Sequence, residues 1–331
     1  MTDTQRSTPS LVVTANGGTE VLSVQDRPVA DPGPGQLLVA VAAAGVNFVD
    51  VYQRQGIYPV PTPFVLCGEG AGTVLAVGSG VAEFAVGDRV AWAQSPGSAA
   101  GLSLVPAEVA VAVPDGLSTE VAAAAMLQGM TAHYLVNSTY PVQAGDPVLV
   151  HAAAGGVGQL LVQLAKAKGA TVIGTASTEQ KLAKARELGA DQVINYTQVD
   201  DLAAAVRELT PDGRGVAVVY DGVGKSTFDA SLASLRPRGL LALFGGASGQ
   251  VPPFDLQRLN QGGSLFVTRP TMVHYLLTRE ELLWRGGEIL GALADGSLRL
   301  EIGGRYPLTD AARAYDDLEG RRSTGKLLLI P

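Results

Sequence analysis

Two rhythms of apolar and polar positions divide the chain. From Leu11 to about Val113, short runs of strand type alternate with Gly/Pro turns. The clearest runs are Leu37–Ala44, Gly72–Val77, Asp88–Ala93 and Leu102–Val105, with turn signals such as Asp31-Pro-Gly-Pro-Gly and Gly78-Ser-Gly around them. This predicts a β-rich domain, preceded by a polar, disordered N-terminus and interrupted by one short helix near Asn47. Ser118 reads as an N-cap with Glu120 in the first turn of an Ala-rich helix that leads into Gln128–Val136. From Val148 strand and helix alternate strictly. The predicted strands are Val148–His151, Thr171–Thr175, Gln192–Asn195, Val216–Asp221, Leu240–Phe244 and Ser264–Val267, with helical segments between the first five. Such a succession gives a doubly wound parallel sheet of Rossmann type, so the fold class is α/β with an added β-rich domain. Past Arg269 the pattern predicts a helix opened by Thr278-x-x-Glu281, a strand near Leu298–Ile302, a helix after Thr309 ending at Gly320, and a last strand, Lys326–Ile330, returning to the β-rich domain.

The candidate chemistry begins where the second rhythm begins. Val148-Leu-Val-His151 runs into Ala152-Ala-Ala-Gly-Gly-Val-Gly158, and an amphipathic stretch from Gln159 to Lys168 stops at Gly169. A strand, a tight turn of small residues and a helix bring unpaired N–H groups and a positive dipole end to the strand tip, where a pyrophosphate can sit. Gly155 lets a diphosphate approach the backbone, Gly158 lets the helix pack on the sheet, and Ala153 stands for the first glycine of G-x-G-x-x-G. Ala154, Gly155, Gly156 and Val157 are therefore candidate cofactor contacts. An NAD site also needs a carboxylate about 20 residues further on. Here the second strand ends in Gly174-Thr-Ala-Ser177, and no acid precedes Glu179, itself within the next helix. Lys181 follows a capping box read as Ser177-x-x-Gln180, so a 2′-phosphate could meet a helix N-terminus and an ammonium together. NADPH is the expected cofactor, with Gly174, Ser177 and Lys181 around its phosphate and Tyr196 closing the adenine side.

Composition narrows the partners. Thirty-one acidic against 24 basic residues give a net charge of −7, which argues against non-specific binding to nucleic acid or anionic membranes. Cys67 is the single cysteine, so neither a disulfide framework nor a Cys-rich zinc site can be built, as suits a reducing compartment. No run approaches the roughly 18 apolar residues of a membrane span, and a cytoplasmic location is expected. His133, His151 and His274 are too scattered to suggest a metal site and read as structural.

The ordered set HAAAGGVGQ, INY, VVYDGVG, FVTRP, YPL and GKLLLIP, covering about Thr14 to Pro331, resembles the zinc-free quinone oxidoreductases, relatives of zeta-crystallin in the medium-chain dehydrogenase/reductase superfamily. The resemblance implies a GroES-like catalytic domain over 1–131 and 270–331 around a Rossmann domain over 132–269, NADPH in the cleft, and a homodimer. It also implies that Asn47 and Tyr52 face the nicotinamide and the acceptor, and that Phe244-Gly245-Gly246-Ala247 and Val267-Thr268-Arg269 meet the nicotinamide amide. Tyr58 is a candidate for lining the acceptor pocket, with loop packing as the other reading. Arg269 could instead anchor the domain interface, and Lys326 could pair with the cofactor or with a neighbouring carboxylate. Asp50 reads as structural, bonding local backbone.

In the zinc alcohol dehydrogenases a cysteine ligand stands where this chain has Asn47, and the Gly-His-Glu motif is Cys67-Gly68-Glu69 here, so two ligands are gone. Cys67 is offset by one position and reads as a small apolar side chain. Without a Lewis acid, the acceptor must itself take hydride readily, as a quinone or conjugated carbonyl does. Neutral donors such as Asn47 and Tyr52 could then orient it and stabilise its developing charge. The chain departs from the family at Gly222, where close relatives often carry serine, and at 97–102, which lacks the usual aromatic residues. The expected activity is NADPH-dependent quinone reduction; the alternatives are reduction of α,β-unsaturated aldehydes or ketones, and a non-catalytic NADPH-binding, crystallin-like role.

Overall fold

A computed structural model of the protein describes residues 6–320 and 322–331, and the chain separates into two compact units, 1–128 with 278–331 and 129–277. The first is β-rich. It contains β1 (Arg6–Val13), β2 (Leu22–Val29), β3 (Gln36–Gly45), α1 (Phe48–Arg54), β4 (Phe64–Val65), β5 (Gly70–Val77), β6 (Arg89–Trp92), β7 (Leu102–Pro106), β8 (Val111–Ala112) and the start of α2 (Thr119–Tyr134). Ser118 caps α2 as its sequence predicts, its Oγ accepting from Val121 N at 3.2 Å. β1 lies between β2 and β4 in a three-stranded sheet. Its first half corrects the expectation of a disordered leader. Arg6–Ser10 pair with Gln25–Val29, and buried Thr8 and Ser10 occupy inward positions that a hydropathy pattern does not register; residues 1–5 lie outside the described residues.

The second unit opens after Gln128 and holds β9 (Pro147–Val150), α3 (Gly156–Ala167), β10 (Thr171–Ala176), α4 (Glu179–Glu187), β11 (Gln192–Asn195), α5 (Leu202–Glu208), β12 (Val216–Asp221), α6 (Phe228–Ala233), β13 (Leu235–Leu243), α7 (Gln257–Gln261) and β14 (Phe266–Thr268). Its sheet is parallel throughout, in the order β11-β10-β9-β12-β13-β14. This is the doubly wound order, with the switch point between β9 and β12. Leu149, Ile173, Val219 and Leu241 form the floor of its core, covered by Val206, Phe228 and Leu232. β14 starts two residues later than its sequence predicts. Ser264 has φ 58, so the chain is still turning there.

The chain then re-enters the first unit through α8 (Arg279–Ala294), β15 (Ile302–Pro307), α9 (Ala311–Glu319) and β16 (Lys326–Ile330). Thr278 Oγ1 caps α8 by accepting from Glu281 N. The strand expected at Leu298–Ile302 lies instead at Ile302–Pro307, where Gly303 and Gly304 hide its alternation; β15 pairs parallel with β16. β16 also pairs antiparallel with β3, Leu328 opposite Gly45 and Leu329 opposite Ala44, and Val46 N donates to Leu327 O. That register sets Lys326 beside Asn47. Among the described residues, no helix is long and apolar enough to cross a membrane.

Candidate active site

The Gly-rich turn has the construction its sequence requires. Ala152 takes φ 50, Gly155 N donates back to Ala152 O at 2.8 Å, and α3 starts at Gly156. A Cβ on Gly158 would lie 2.2 Å from Ala152 O, so only glycine lets α3 sit this close to the turn. Gly155 is the N-cap and offers no side-chain acceptor, which leaves the first-turn N–H groups of this 12-residue helix without a side-chain cap. Gly156 and Val157 form that turn, and Ala154 is buried behind it. Gly174, expected beside the cofactor phosphate, has a packing role. It is buried, and a Cβ there would meet Ala153 Cβ at 2.9 Å, so it lets the turn seat on β10.

Around the end of β10 the cap moves by one residue from the predicted position. Thr178, not Ser177, caps α4, its Oγ1 accepting from Lys181 N at 3.3 Å. The reason is register: α4 begins at Glu179, and only Thr178 stands three residues before Lys181. The Ser177 hydroxyl makes no hydrogen bond to any described residue and stays available to a ligand. Tyr196 lies next to it, since Tyr196 N donates to Ala176 O at 3.2 Å and the side chain is exposed. Lys181 occupies the first turn of α4.

At the far side of the switch point two loops lie back to back. Phe244 N and Gly245 N donate to Asp221 O, Ala247 N to Gly222 O at 3.2 Å, and Ser248 N to Val223 O at 2.8 Å. A Cβ on Gly222 would lie 2.9 Å from both Phe244 Cε2 and Cζ, which gives the departure at this position a physical reason: the ring occupies that space. Gly245 is equally constrained, with Gly222 O 2.4 Å from its would-be Cβ, and Gly246 follows. Val267 and Thr268 are half-buried on β14, and exposed Arg269 donates from Nη1 to Leu243 O at 3.1 Å. His151 is buried, with Nδ1 2.9 Å from Thr175 Oγ1 and Nε2 3.0 Å from Ser231 Oγ, and His274 is exposed.

In the first unit, Asn47 is the hub of a buried network. It is the N-cap of α1 in a reciprocal box with Asp50, whose Oδ2 accepts from Asn47 N at 2.7 Å. Asn47 Nδ2 donates to Glu69 Oε2 at 2.7 Å and to Gly45 O at 3.2 Å, while its Oδ1 accepts from Lys326 Nζ at 2.7 Å and Gln128 Nε2 at 3.4 Å. Both amide hydrogens are therefore engaged. This arrangement gives Asn47 the work of capping α1 and holding its surroundings in place. Lys326 pairs with a neighbouring carboxylate, one of the two partners its sequence allows: its Nζ contacts Glu69 Oε2 at 2.5 Å with both side chains at 0 % exposure. Glu69 Oε1 accepts from Leu127 N at 2.6 Å.

Below the hub, burial pushes the Asp50 carboxyl up to about 7, against the pull of the Asn47 N–H and the Lys326 charge. Tyr315 Oη donates to Asp50 Oδ2 at 3.1 Å, and Cys67 Sγ lies 3.3 Å from the same Oη. Burial and the neighbouring Asp50 drive the Cys67 thiol well above its ordinary range, so it is an inert core group. Sequence reasoning missed Glu69, Lys326 and Gln128 as one cluster, because three distant segments bring them to Asn47: β16 pairing with β3 carries Lys326, the lead-in to β5 carries Glu69, and α2 carries Gln128. On α1, half-buried Tyr52 packs edge-on to exposed Tyr58, ring centroids 5.3 Å apart, and against Phe48 at 6.3 Å.

These two units define a class. Residues 33–139 match the alcohol dehydrogenase GroES-like domain and residues 156–282 the zinc-binding dehydrogenase family, the two parts of a medium-chain dehydrogenase/reductase. Within that class the chain belongs to the quinone oxidoreductase family. It is similar to the quinone oxidoreductase of Pseudomonas aeruginosa, 47% identical over 319 residues that cover 96% of this chain and 98% of that one. Two solved structures complexed with NADPH superpose with TM-scores of 0.94. One is the Escherichia coli quinone oxidoreductase, 43% identical and covering 97% of this chain and 99% of its own. The other is a mycobacterial protein, 50% identical, covering 98% and 100%.

Proposed function

We propose that this protein reduces quinones with NADPH by direct hydride transfer and without zinc. The observation that carries the reading is the end of β10: where an NAD site places a carboxylate, this chain has an unengaged Ser177 hydroxyl beside Tyr196 and the first turn of α4 with Lys181. The uncapped first turn of α3, from Gly156, with Ala154, Gly155 and Val157 around it, fits a diphosphate. Phe244, Gly245, Gly246, Ala247, Val267, Thr268 and Arg269 are proposed for the nicotinamide end. NADPH, when bound, supplies the hydride.

The chain's own work is to bind, orient and keep charges balanced. Glu69 keeps its place in the motif that carries a zinc ligand elsewhere, and Lys326 already neutralises it, while Asn47 and Gly68 supply no thiolate or imidazole. This supports metal independence and requires an electron-poor acceptor. Tyr52 and Tyr58 are proposed to line the acceptor site, and Asn47 to position it through the Glu69–Lys326 hub. We also propose a homodimer through the edge of the parallel sheet: β14 is its end strand and Phe266 on it is 58 % exposed, an edge of the kind that pairs with a second copy.

The test is steady-state NADPH oxidation with a benzoquinone and an enone, before and after exhaustive chelation, in the parent and in Lys181→Ala. The expected result is quinone turnover that survives chelation, with NADPH affinity falling roughly 10-fold to 150-fold in the variant, about 1.5–3 kcal/mol, and NADH affinity little changed. Turnover of the enone alone would move the assignment to an enone reductase. NADPH binding with neither acceptor turned over would leave a binding protein.

A further inference from the structure

At the C-terminal ends of β9, β10 and β12 runs a buried polar string that no cofactor contact accounts for. Thr175, His151, Ser231 and Asp221 are each at most 2 % exposed and bond in that order. His151 Nδ1 lies 2.9 Å from Thr175 Oγ1, His151 Nε2 lies 3.0 Å from Ser231 Oγ, and Ser231 Oγ donates to Asp221 Oδ2 at 2.8 Å. Asp221 collects three further donors, Thr227 Oγ1 at 2.7 Å on Oδ2, and Val223 N at 2.7 Å and Gly224 N at 3.0 Å on Oδ1.

The direction of the string follows from proton counting. A serine hydroxyl has one hydrogen, and Ser231 gives it to Asp221. Ser231 Oγ can then only accept from His151, so the imidazole carries its proton on Nε2 and its bare Nδ1 accepts from the Thr175 hydroxyl. Burial holds His151 below its ordinary pKa, in keeping with a neutral ring. Every bond points toward the carboxylate, and each hydroxyl and the ring N–H of the string has an acceptor.

The ends of the string are the supports of the cofactor loops. Thr175 O also accepts from Ala153 N, inside the Gly-rich turn, at 3.0 Å. Asp221 holds the 222–224 loop by its two N–H groups, and that loop in turn carries Ala247 N and Ser248 N. We infer that the Thr175–His151–Ser231–Asp221 string is a positioning device that locks the 222–224 and 244–248 loops to the Gly-rich turn, with His151 as its neutral Nε2–H link. This rests on the NADPH reading above. None of the four side chains need touch the cofactor.

A fully satisfied buried network fixes one arrangement, and deleting one member releases its neighbours. Thr175→Val keeps the shape and removes the donor to Nδ1; Thr175→Ser restores it; Ser231→Ala cuts the string at its centre and serves if the valine variant fails to fold. Three quantities are read: the ¹⁵N chemical shifts of the His151 ring, kcat with a benzoquinone at saturating NADPH, and the affinity for 2′,5′-ADP, which lacks the nicotinamide end. The expected results are an Nε2–H signature in the parent, an Nδ1 shift that moves in Thr175→Val and returns in Thr175→Ser, and kcat lower by about tenfold in Thr175→Val and Ser231→Ala, the effect of one hydrogen bond, with 2′,5′-ADP affinity within about twofold of the parent. An Nδ1–H or doubly protonated ring, an unchanged kcat, or a 2′,5′-ADP affinity that falls as far as kcat overturns the inference. A parent that shows the expected ring but binds no NADPH overturns the functional reading instead.

Discussion

Replacing Lys326 by methionine removes the one cation from the Asn47–Glu69 hub. The Glu69 carboxylate keeps Leu127 N at 2.6 Å and Asn47 Nδ2 at 2.7 Å, but it loses the ammonium at 2.5 Å and remains at 0 % exposure. Asn47 Oδ1 loses its short bond at 2.7 Å and is left with Gln128 Nε2 at 3.4 Å. Breaking one side of a buried pair costs ~3–5 kcal/mol, a large part of the roughly 5–15 kcal/mol by which native proteins are stable. Glu69→Gln with Lys326→Met removes the stranded charge; the single amide oxygen can accept from Leu127 N, and Asn47, no longer held by Lys326, can turn its own oxygen toward the new NH2 group. The double variant should therefore regain about 2 kcal/mol or more of what Lys326→Met alone loses. The assay is urea unfolding of the parent, both single variants and the double, followed by the fluorescence of Trp92, buried in the same unit, at unchanged m-value. A loss below about 1 kcal/mol for Lys326→Met, or a double variant as unstable as the two singles added together, would refute the view that the lysine exists to neutralise Glu69.

Asp50, pushed up to about 7 by burial, binds its proton more tightly in the folded protein than in the unfolded chain. Its stabilising contribution is thus complete below about pH 4 and is lost as pH rises through about 7. Relative to Asp50→Asn, the parent's unfolding free energy should fall over that window by up to on the order of 4 kcal/mol, and a difference that stays flat or rises contradicts the assignment. Gly222→Ala forces a methyl to within 2.9 Å of the Phe244 ring and should cost ~1–3 kcal/mol of stability, which Gly222→Ala with Phe244→Leu should largely return; equal losses in both would show that the ring is not the obstacle. Tyr52→Phe should lower kcat/KM for a benzoquinone about 10-fold, or ~1.4 kcal/mol, with NADPH affinity unchanged, and complete loss of turnover would make the tyrosine an essential acid.

What the sequence discloses depends on how local the cause is. The parallel sheet and the Gly-rich turn are legible because their signals are periodic or contiguous: strand runs at regular spacing, and glycines whose missing Cβ the fold needs within a few residues, as at Gly158 against Ala152 O. β1 and β15 are misread for the opposite reason, since Thr8 and Ser10 face inward and Gly303 and Gly304 carry no apolar signal. Ser177 and Thr178 exchange roles because helix starts are uncertain by a residue and capping depends on that residue. The Asn47–Glu69–Lys326 hub is the least legible feature. Lys326 and Asn47 are 279 residues apart, and only the pairing of β16 with β3 makes them neighbours. A lysine between glycine and an apolar run offers no local hint that it is fully buried.

On the proposed mechanism, hydride passes directly from NADPH to a quinone with no metal involved. Stopped-flow mixing of benzoquinone with chelator-treated protein carrying either NADPH or NADPH deuterated at the transferred position of C4 measures that step. The expected result is nicotinamide oxidation at the same rate as in untreated protein, slowed by the deuterium, and much slower reaction when NADH at equal concentration replaces NADPH. Loss of the step on chelation with recovery on adding zinc, or equal rates with NADH and NADPH, would contradict it.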